Sequence, residues 1–380
     1  MKKKYIIFSI VTLVLLVTLV TCFNYFKTSN NYVEDSVNNQ TKIIKGISMN
    51  LEQIAGAGDY KTVTQSSWPT EGYKFNTELS RCENGSTLSW DDSKKAVVMN
   101  GNVSDKCYVY FDKVLTLANY VISQYTGIQG ENSLYYHDSN LANGVGDNSY
   151  RYAGASDSVN NYICLGSDAA TCPDDNLFRI IGVFGAQTKV IRAKSVGNQK
   201  WDTSSSNKWS SSSLNTYLNG TYLTSLGTLK NKIATTTWKV GGGTPANISE
   251  VVPATAYKNE VGSSASRTIV NKKIGLMYVT DYYYSASPSA WTLVGYNSSD
   301  TTKDYRVAKT INWLYLGSYE WTISCHSGTS YSAFGVGNLG YVSGYFDVST
   351  SSAVRPTFNL ESSVKYVSGS GSMSDPVRVN

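Results

Sequence analysis

Thr322-Ile323-Ser324-Cys325-His326 is the one point where the chain sets a thiol beside an imidazole. That pairing can make a nucleophile, because a base that draws the proton from sulfur leaves a reactive thiolate. The same five residues also read as a strand, on which neighbours point to opposite faces and Cys325 and His326 need not meet. His137 is the other of only two histidines. His-Glu-x-x-His, the Gly-x-Ser-x-Gly elbow and the Walker loop are all absent from the sequence. Asp91-Asp92 and Asp174-Asp175 could serve as general acid and base, but solvated turns account for adjacent carboxylates more simply. Pro173-Asp-Asp-Asn176 offers oxygen ligands for calcium, with a turn before a strand as the simpler assignment. These residues form no complete catalytic or metal-binding set, so no catalytic residue, metal or cofactor is expected.

Aromatic residues suggest binding instead. Tyr282, Tyr283, Tyr284, Trp291 and Tyr331 sit in Ser-rich, loop-like text. Rings displayed there would stack on sugar faces or anchor a protein partner. Core packing is the competing reading for each ring taken singly.

Location comes from the N-terminus. Lys2, Lys3 and Lys4 precede an apolar run over residues 5–23 with no charge and no proline. As a helix this run would rise about 28 Å, close to a bilayer's hydrocarbon core. The lysines favour the cytoplasmic side. A single-pass signal-anchor in the cell membrane is therefore expected, with the bulk of the chain extracellular. Lipidation at Cys22 after Leu19-Val20-Thr21, or cleavage to a secreted form, are the alternatives. Outside the anchor the chain is nearly neutral: the total is +5, three charges of it from the anchor lysines. Composition thus gives no case for nucleic acid. With 16% charged and 41% hydrophobic residues, the chain is globular.

An external location favours disulfides. Spacing pairs Cys82 with Cys107 and Cys164 with Cys172, leaving Cys325 over. Residues 24–58 read as a stalk with a weakly helical stretch from Ile44 to Ile54. Short strand-like runs with Asn84-Gly85 and Asn100-Gly101 turns make 59–114 a small all-β module stapled by Cys82–Cys107. Leu117, Val121 and Tyr125 repeat at helical spacing, which gives a connecting helix over 115–126. Phe178–Phe184 and Lys189–Ala193 form the clearest hairpin. Helices are expected from Trp209 to Asn219 and from Leu223 to Trp238, and strands at Ile274–Val279, Trp321–Ser324, Ala333–Val336 and Ala353–Leu360. The fold class expected for 127–380 is α+β.

Five motifs carry a resemblance: Phe178-Arg-Ile-Ile-Gly, Ser213-Leu-Asn-Thr-Tyr-Leu-Asn219, Ile274-Gly-Leu-Met-Tyr278, Trp321-Thr-Ile-Ser324 and Ala353-Val-Arg-Pro-Thr-Phe358. Over about residues 160–380 the chain resembles an uncharacterised bacterial surface domain of the C-type-lectin-like, formylglycine-generating-enzyme-like class. That resemblance implies a head of short twisted antiparallel sheets and two helices, displaying loops for ligand binding. It lacks the Glu-Pro-Asn or Gln-Pro-Asp triplet of calcium-dependent lectins. The Cys325 segment is also reminiscent of sortases, whose distant His and later Arg fit His137 and Arg355 poorly. The expected function is a membrane-anchored extracellular binding or adhesion protein that recognises a glycan or protein ligand. A thiol-dependent oxidase or transpeptidase using Cys325, and a structural subunit of a surface assembly, are the alternatives.

Overall fold

The computed structural model describes residues 32–35, 41–43, 46–64, 67–69, 72–262, 268–293 and 308–380. The apolar run at 5–23 and Cys22, on which the transmembrane and lipidation expectations rest, lie outside the described residues. Among the described residues no helix is long and apolar enough to cross a membrane. The chain divides into two compact units, residues 1–115 and 116–380.

In the first unit, Ile47–Glu52 runs parallel to Cys107–Lys113, in register from Ile47 opposite Cys107 to Leu51 opposite Phe111. Tyr60–Val63 flanks one side, and Tyr73–Phe75 and Arg81–Cys82 pair with the other edge of Cys107–Lys113. The expected helix over Ile44–Ile54 and the stalk to residue 58 are corrected here. Ile47, Met49 and Leu51 alternate with Ser48, Asn50 and Glu52, which is the period of a strand. Met49, Leu51, Cys107, Val109 and Phe111 bury one face together with Trp68, Phe75, Val97 and Met99. Glu52 closes the end of the sheet, accepting hydrogen bonds from the Gly58 and Lys113 amides at 2.9 Å each.

At the centre of the second unit Leu177–Phe184 pairs antiparallel with Gln187–Arg192, which pairs in turn with Thr357–Leu360. The other edge of Leu177–Phe184 is shared by Tyr162–Cys164 and Tyr150–Tyr152. Gly182 is required at that junction, because a side-chain carbon there would lie 2.1 Å from the Tyr150 carbonyl oxygen. A second sheet runs in the order Asn198–Lys200, Ser351–Ala353, Glu320–Cys325, Ser332–Val336, Val342–Asp347. Thr236–Val240 and Thr268–Lys272 make a separate two-stranded ribbon.

Strands take up 34% of the structure and helix 19%, and the helix is spread over short segments. The expected α+β head with two defining helices is therefore corrected to a predominantly β architecture, and the C-type-lectin-like assignment of the fold falls with it. The expected helix over 223–238 shows why. Leu223–Ser225 is helical, a 3₁₀ stretch covers Gly227–Lys232, and the β-branched run beginning at Thr235 becomes the strand Thr236–Val240. Ile274–Val279 is not a strand either: only Gly275 forms a bridge, with Thr357, and a helix starts at Val279.

All six tryptophans of the second unit are buried. Five donate their indole N–H to a backbone carbonyl. Trp313 reaches Tyr152 (2.8 Å), Trp321 reaches Gln199 (2.9 Å) and Trp201 reaches Thr322 (3.2 Å), so each joins segments more than 100 residues apart. Trp238 and Trp291 bond Lys272 and Ala286 at 3.0 Å each. Large apolar area is thus buried without leaving these donors unpaired.

Both expected disulfides are formed, Cys82–Cys107 within the first unit and Cys164–Cys172 within the second. By loop entropy they contribute at most about 3.5 and about 2.5 kcal/mol. Urea unfolding of the Cys82→Ala/Cys107→Ala chain should show the larger loss, and the Cys164→Ala/Cys172→Ala chain the smaller.

Candidate functional site

A cavity of about 200 Å³ opens where Gln187–Arg192, Thr236–Val240 and the start of the helix Val279–Tyr284 converge. Its walls are the rings of Phe184, Trp238, Tyr257 and Tyr278, and its charged groups are Arg151, Lys189, Lys239 and Asp281. The strand register sets Lys189 between Gly182 and Asn359. From there its ammonium reaches the Asp281 carboxylate, and both side chains are buried.

Asp281 has a second task. It is the third residue of its helix, and its Oδ2 accepts the Tyr278 amide hydrogen at 2.8 Å, closing a capping box. Glu260, the last residue of the helix Pro253–Glu260, caps the same N-terminus. Its carboxylate accepts from the Val279 and Thr280 amides at 2.9 Å each, from the Thr280 hydroxyl at 2.7 Å and from the Ser324 hydroxyl. A helix N-terminus attracts negative charge and leaves amides to be satisfied, so two buried carboxylates are held there. Burial raises the Glu260 pKa, and the bonds from Ser324 and Thr280 oppose the rise.

The cations lie against ring faces. Lys189 Nζ is 4.6 Å from the Tyr278 ring centre and 5.6 Å from those of Trp238 and Phe184. The Arg151 guanidinium carbon is 4.7 Å from Phe184 and 5.3 Å from Tyr257. Arg151 donates from Nη2 to Asp147 Oδ2 at 2.6 Å and from Nε to the Ser149 hydroxyl at 2.7 Å. The Tyr257 hydroxyl donates to the same Asp147 oxygen at 2.8 Å. Desolvation works against the Lys189 charge and lowers its pKa, with Asp281 opposing the fall. Burial alone would raise the Asp147 pKa, but Arg151 and the bonds from Ser149 and Tyr257 bring it down to about 2. Buried ions persist only when paired in this way, and the ring faces add to the pairing. The result is a preformed apolar pocket with charged hydrogen-bonding groups set into it.

The sequence-expected binding rings are elsewhere. Tyr282, Tyr283, Tyr284 and Trp291 are buried in the core. All four polar tips are spent inside: Tyr282 donates to Gly340 O (2.8 Å), Tyr283 to Ile248 O (3.3 Å), Tyr284 to Asn143 O (2.9 Å) and Trp291 to Ala286 O (3.0 Å). An aromatic binding loop built from these four is therefore corrected. The Ser-rich text conceals a short helix surrounded by protein, so three consecutive tyrosines all become core. Tyr331 alone of the five is open, at 53% exposure, and the cavity does not include it.

The thiol–imidazole pair separates as strand geometry demands. Cys325 packs on the core, and a side-chain carbon at Gly241 would lie 3.0 Å from its sulfur. His326 turns its ring toward Tyr345 and Phe334, and its Nδ1 accepts the Gly328 amide hydrogen at 2.8 Å. Arg355 is held by Glu320 through two buried bonds of 2.6 and 2.7 Å. Asp91 caps a turn at Ser93 and Lys94, while Asp174 and Asp175 pair with Lys194 and Arg192. Among the described residues no group of three or more His, Cys, Asp or Glu side chains could hold a metal ion.

Sequence reading missed Arg151, Lys189, Trp238, Tyr278 and Asp281. One signal was available: Lys189 is a lone charge entering the apolar arm Val190-Ile191 of the central hairpin, where a cation needs a buried partner.

Residues 186–362 match a family model described as Domain of unknown function (DUF6273). That segment is similar to this family over somewhat less than half of the chain. No curated protein and no solved structure matches the chain. The matched segment holds Lys189, Trp238, Tyr257, Tyr278 and Asp281, whereas Arg151 and Phe184 precede it.

His137 lies behind the site, 5.0 Å from the Tyr284 ring and 5.2 Å from Trp291. Burial and the nearby Arg151 charge push its pKa down to about 3, with Asp147 opposing. Unfolded, it would titrate near 6.5. The unfolded chain therefore binds more protons below that value. Stability from this group is complete above pH 6.5 and is lost as pH falls toward 3, by at most roughly 1.4 kcal/mol per unit. Urea unfolding from pH 7 down to pH 5.5, above the ordinary carboxylate range, should show this slope, and His137→Phe should remove most of it.

Proposed function

We propose that the second unit is a glycan-binding domain that works outside the reducing cytoplasm, and that the cavity takes one sugar ring. The observation that carries this reading is the cavity itself, with aromatic rings on its walls and charged donors and acceptors among them. A sugar has a face of C–H groups and a rim of hydroxyls, so it uses both kinds of lining at once. Ligand pockets commonly combine apolar walls with a few placed polar groups in this way. At about 200 Å³ the space suits a single ring more than an extended protein surface. Two disulfides favour an oxidising compartment. A thiol enzyme draws no support from Cys325, which packs on the core while its neighbour His326 engages Gly328.

A glycan array probed with the folded chain, followed by calorimetric titration of the retained sugars, tests this. Saturable binding is expected, weakened at least tenfold by Phe184→Ala with the circular dichroism spectrum unchanged. A folded chain that retains no glycan would exclude the reading.

A further inference from the structure

The polar groups lining the cavity are unevenly divided. Three cations, Arg151, Lys189 and Lys239, line it, against the single carboxylate of Asp281. Asp147 and Glu260 stand behind the wall and do not line it; one bonds Arg151 and Tyr257, the other caps the helix. Donors remain on each cation. Arg151 commits Nε and Nη2 to Ser149 and Asp147, which leaves Nη1. Lys189 spends one of its three hydrogens on Asp281. Lys239 spends two on the carbonyls of Val261 (2.7 Å) and Gly262 (3.2 Å).

These donors are fixed in place. Arg151 and Lys189 are only 2% and 5% exposed, and both are pressed against ring faces. A ligand entering the cavity thus meets immobilised positive donors in excess over acceptors. Hydrogen bonds from charged donors to an ionised acceptor are the strong ones. A carboxylate presents two oxygens side by side, one for the guanidinium and one for an ammonium.

We propose that the sugar ring bound here carries a carboxylate, as a uronic acid does, and that this group docks between Arg151 and Lys189 with the ring against the part-exposed Phe184 and Tyr278. This rests on the glycan-binding reading and adds the charge of the ligand to it. The test needs no variant. Glucuronate and galacturonate are titrated calorimetrically into the intact chain beside their methyl esters, the neutral parent sugars and inorganic sulfate. Each acid should bind at least tenfold more tightly than its ester. Equal binding of acid and ester would overturn the carboxylate assignment while leaving the glycan reading standing. Absence of binding by every sugar would remove both. Sulfate bound as tightly as the acids would also overturn the assignment, because the site would then read charge alone.

Discussion

The Lys189 ammonium and the Asp281 carboxylate meet where little water reaches either. Each would be costly to bury alone, by several kcal/mol, so neither position tolerates loss of the other. The pair joins the second strand of the central hairpin to the helix Val279–Tyr284. Because the same carboxylate caps that helix, the contact fixes the helix's start as well as its place. Everything farther along the helix depends on that placement. Tyr282 reaches the Gly340 carbonyl, Tyr283 the Ile248 carbonyl and Tyr284 the Asn143 carbonyl, so three tyrosines tie distant segments to one short element. The cavity is a by-product of the same geometry, since Trp238 and Tyr278 come together around the ammonium.

The rest of the second unit follows a similar rule, in which buried polar groups are matched locally. Arg355 and Glu320 form a bidentate pair. Arg179 lacks such a carboxylate and instead bonds Asn161, Ser156 and the Val159 carbonyl between the rings of Tyr162 and Trp313. Burial lowers its pKa to about 10, so it stays charged at neutral pH. Five tryptophan N–H groups find carbonyls, while Trp209 Nε1 is among the few buried side-chain atoms with no hydrogen-bond partner among the described residues. Buried networks of this kind specify one arrangement, because a slip in register would strand several polar groups at once.

Some of this was legible in the amino-acid order. The hairpin around Gly185 announced itself through β-branched runs on both sides of a turn, and cysteine spacing gave both disulfides. Other parts were obscured for physical reasons. Ile47–Glu52 carries apolar residues that fit a strand and a weak helix equally well until its partner Cys107–Lys113 is known. Residues 223–238 look helical locally, yet tertiary pairing draws Thr236–Val240 into a ribbon with Thr268–Lys272. Tyr282, Tyr283 and Tyr284 look exposed because serines surround them. Their burial depends on Asp281 and Glu260 capping the helix, a long-range fact that no window of sequence contains. The candidate site was hidden most deeply, since Arg151, Lys189, Trp238 and Asp281 converge from four separate segments.

A double-mutant cycle on Lys189→Met and Asp281→Asn, read by urea denaturation, tests the central claim most directly. Each single change should cost about 3–5 kcal/mol by leaving its partner buried and alone, and the double should cost less than their sum by at least about 1.5 kcal/mol. Strictly additive losses would contradict the account, because the two groups would then be acting independently.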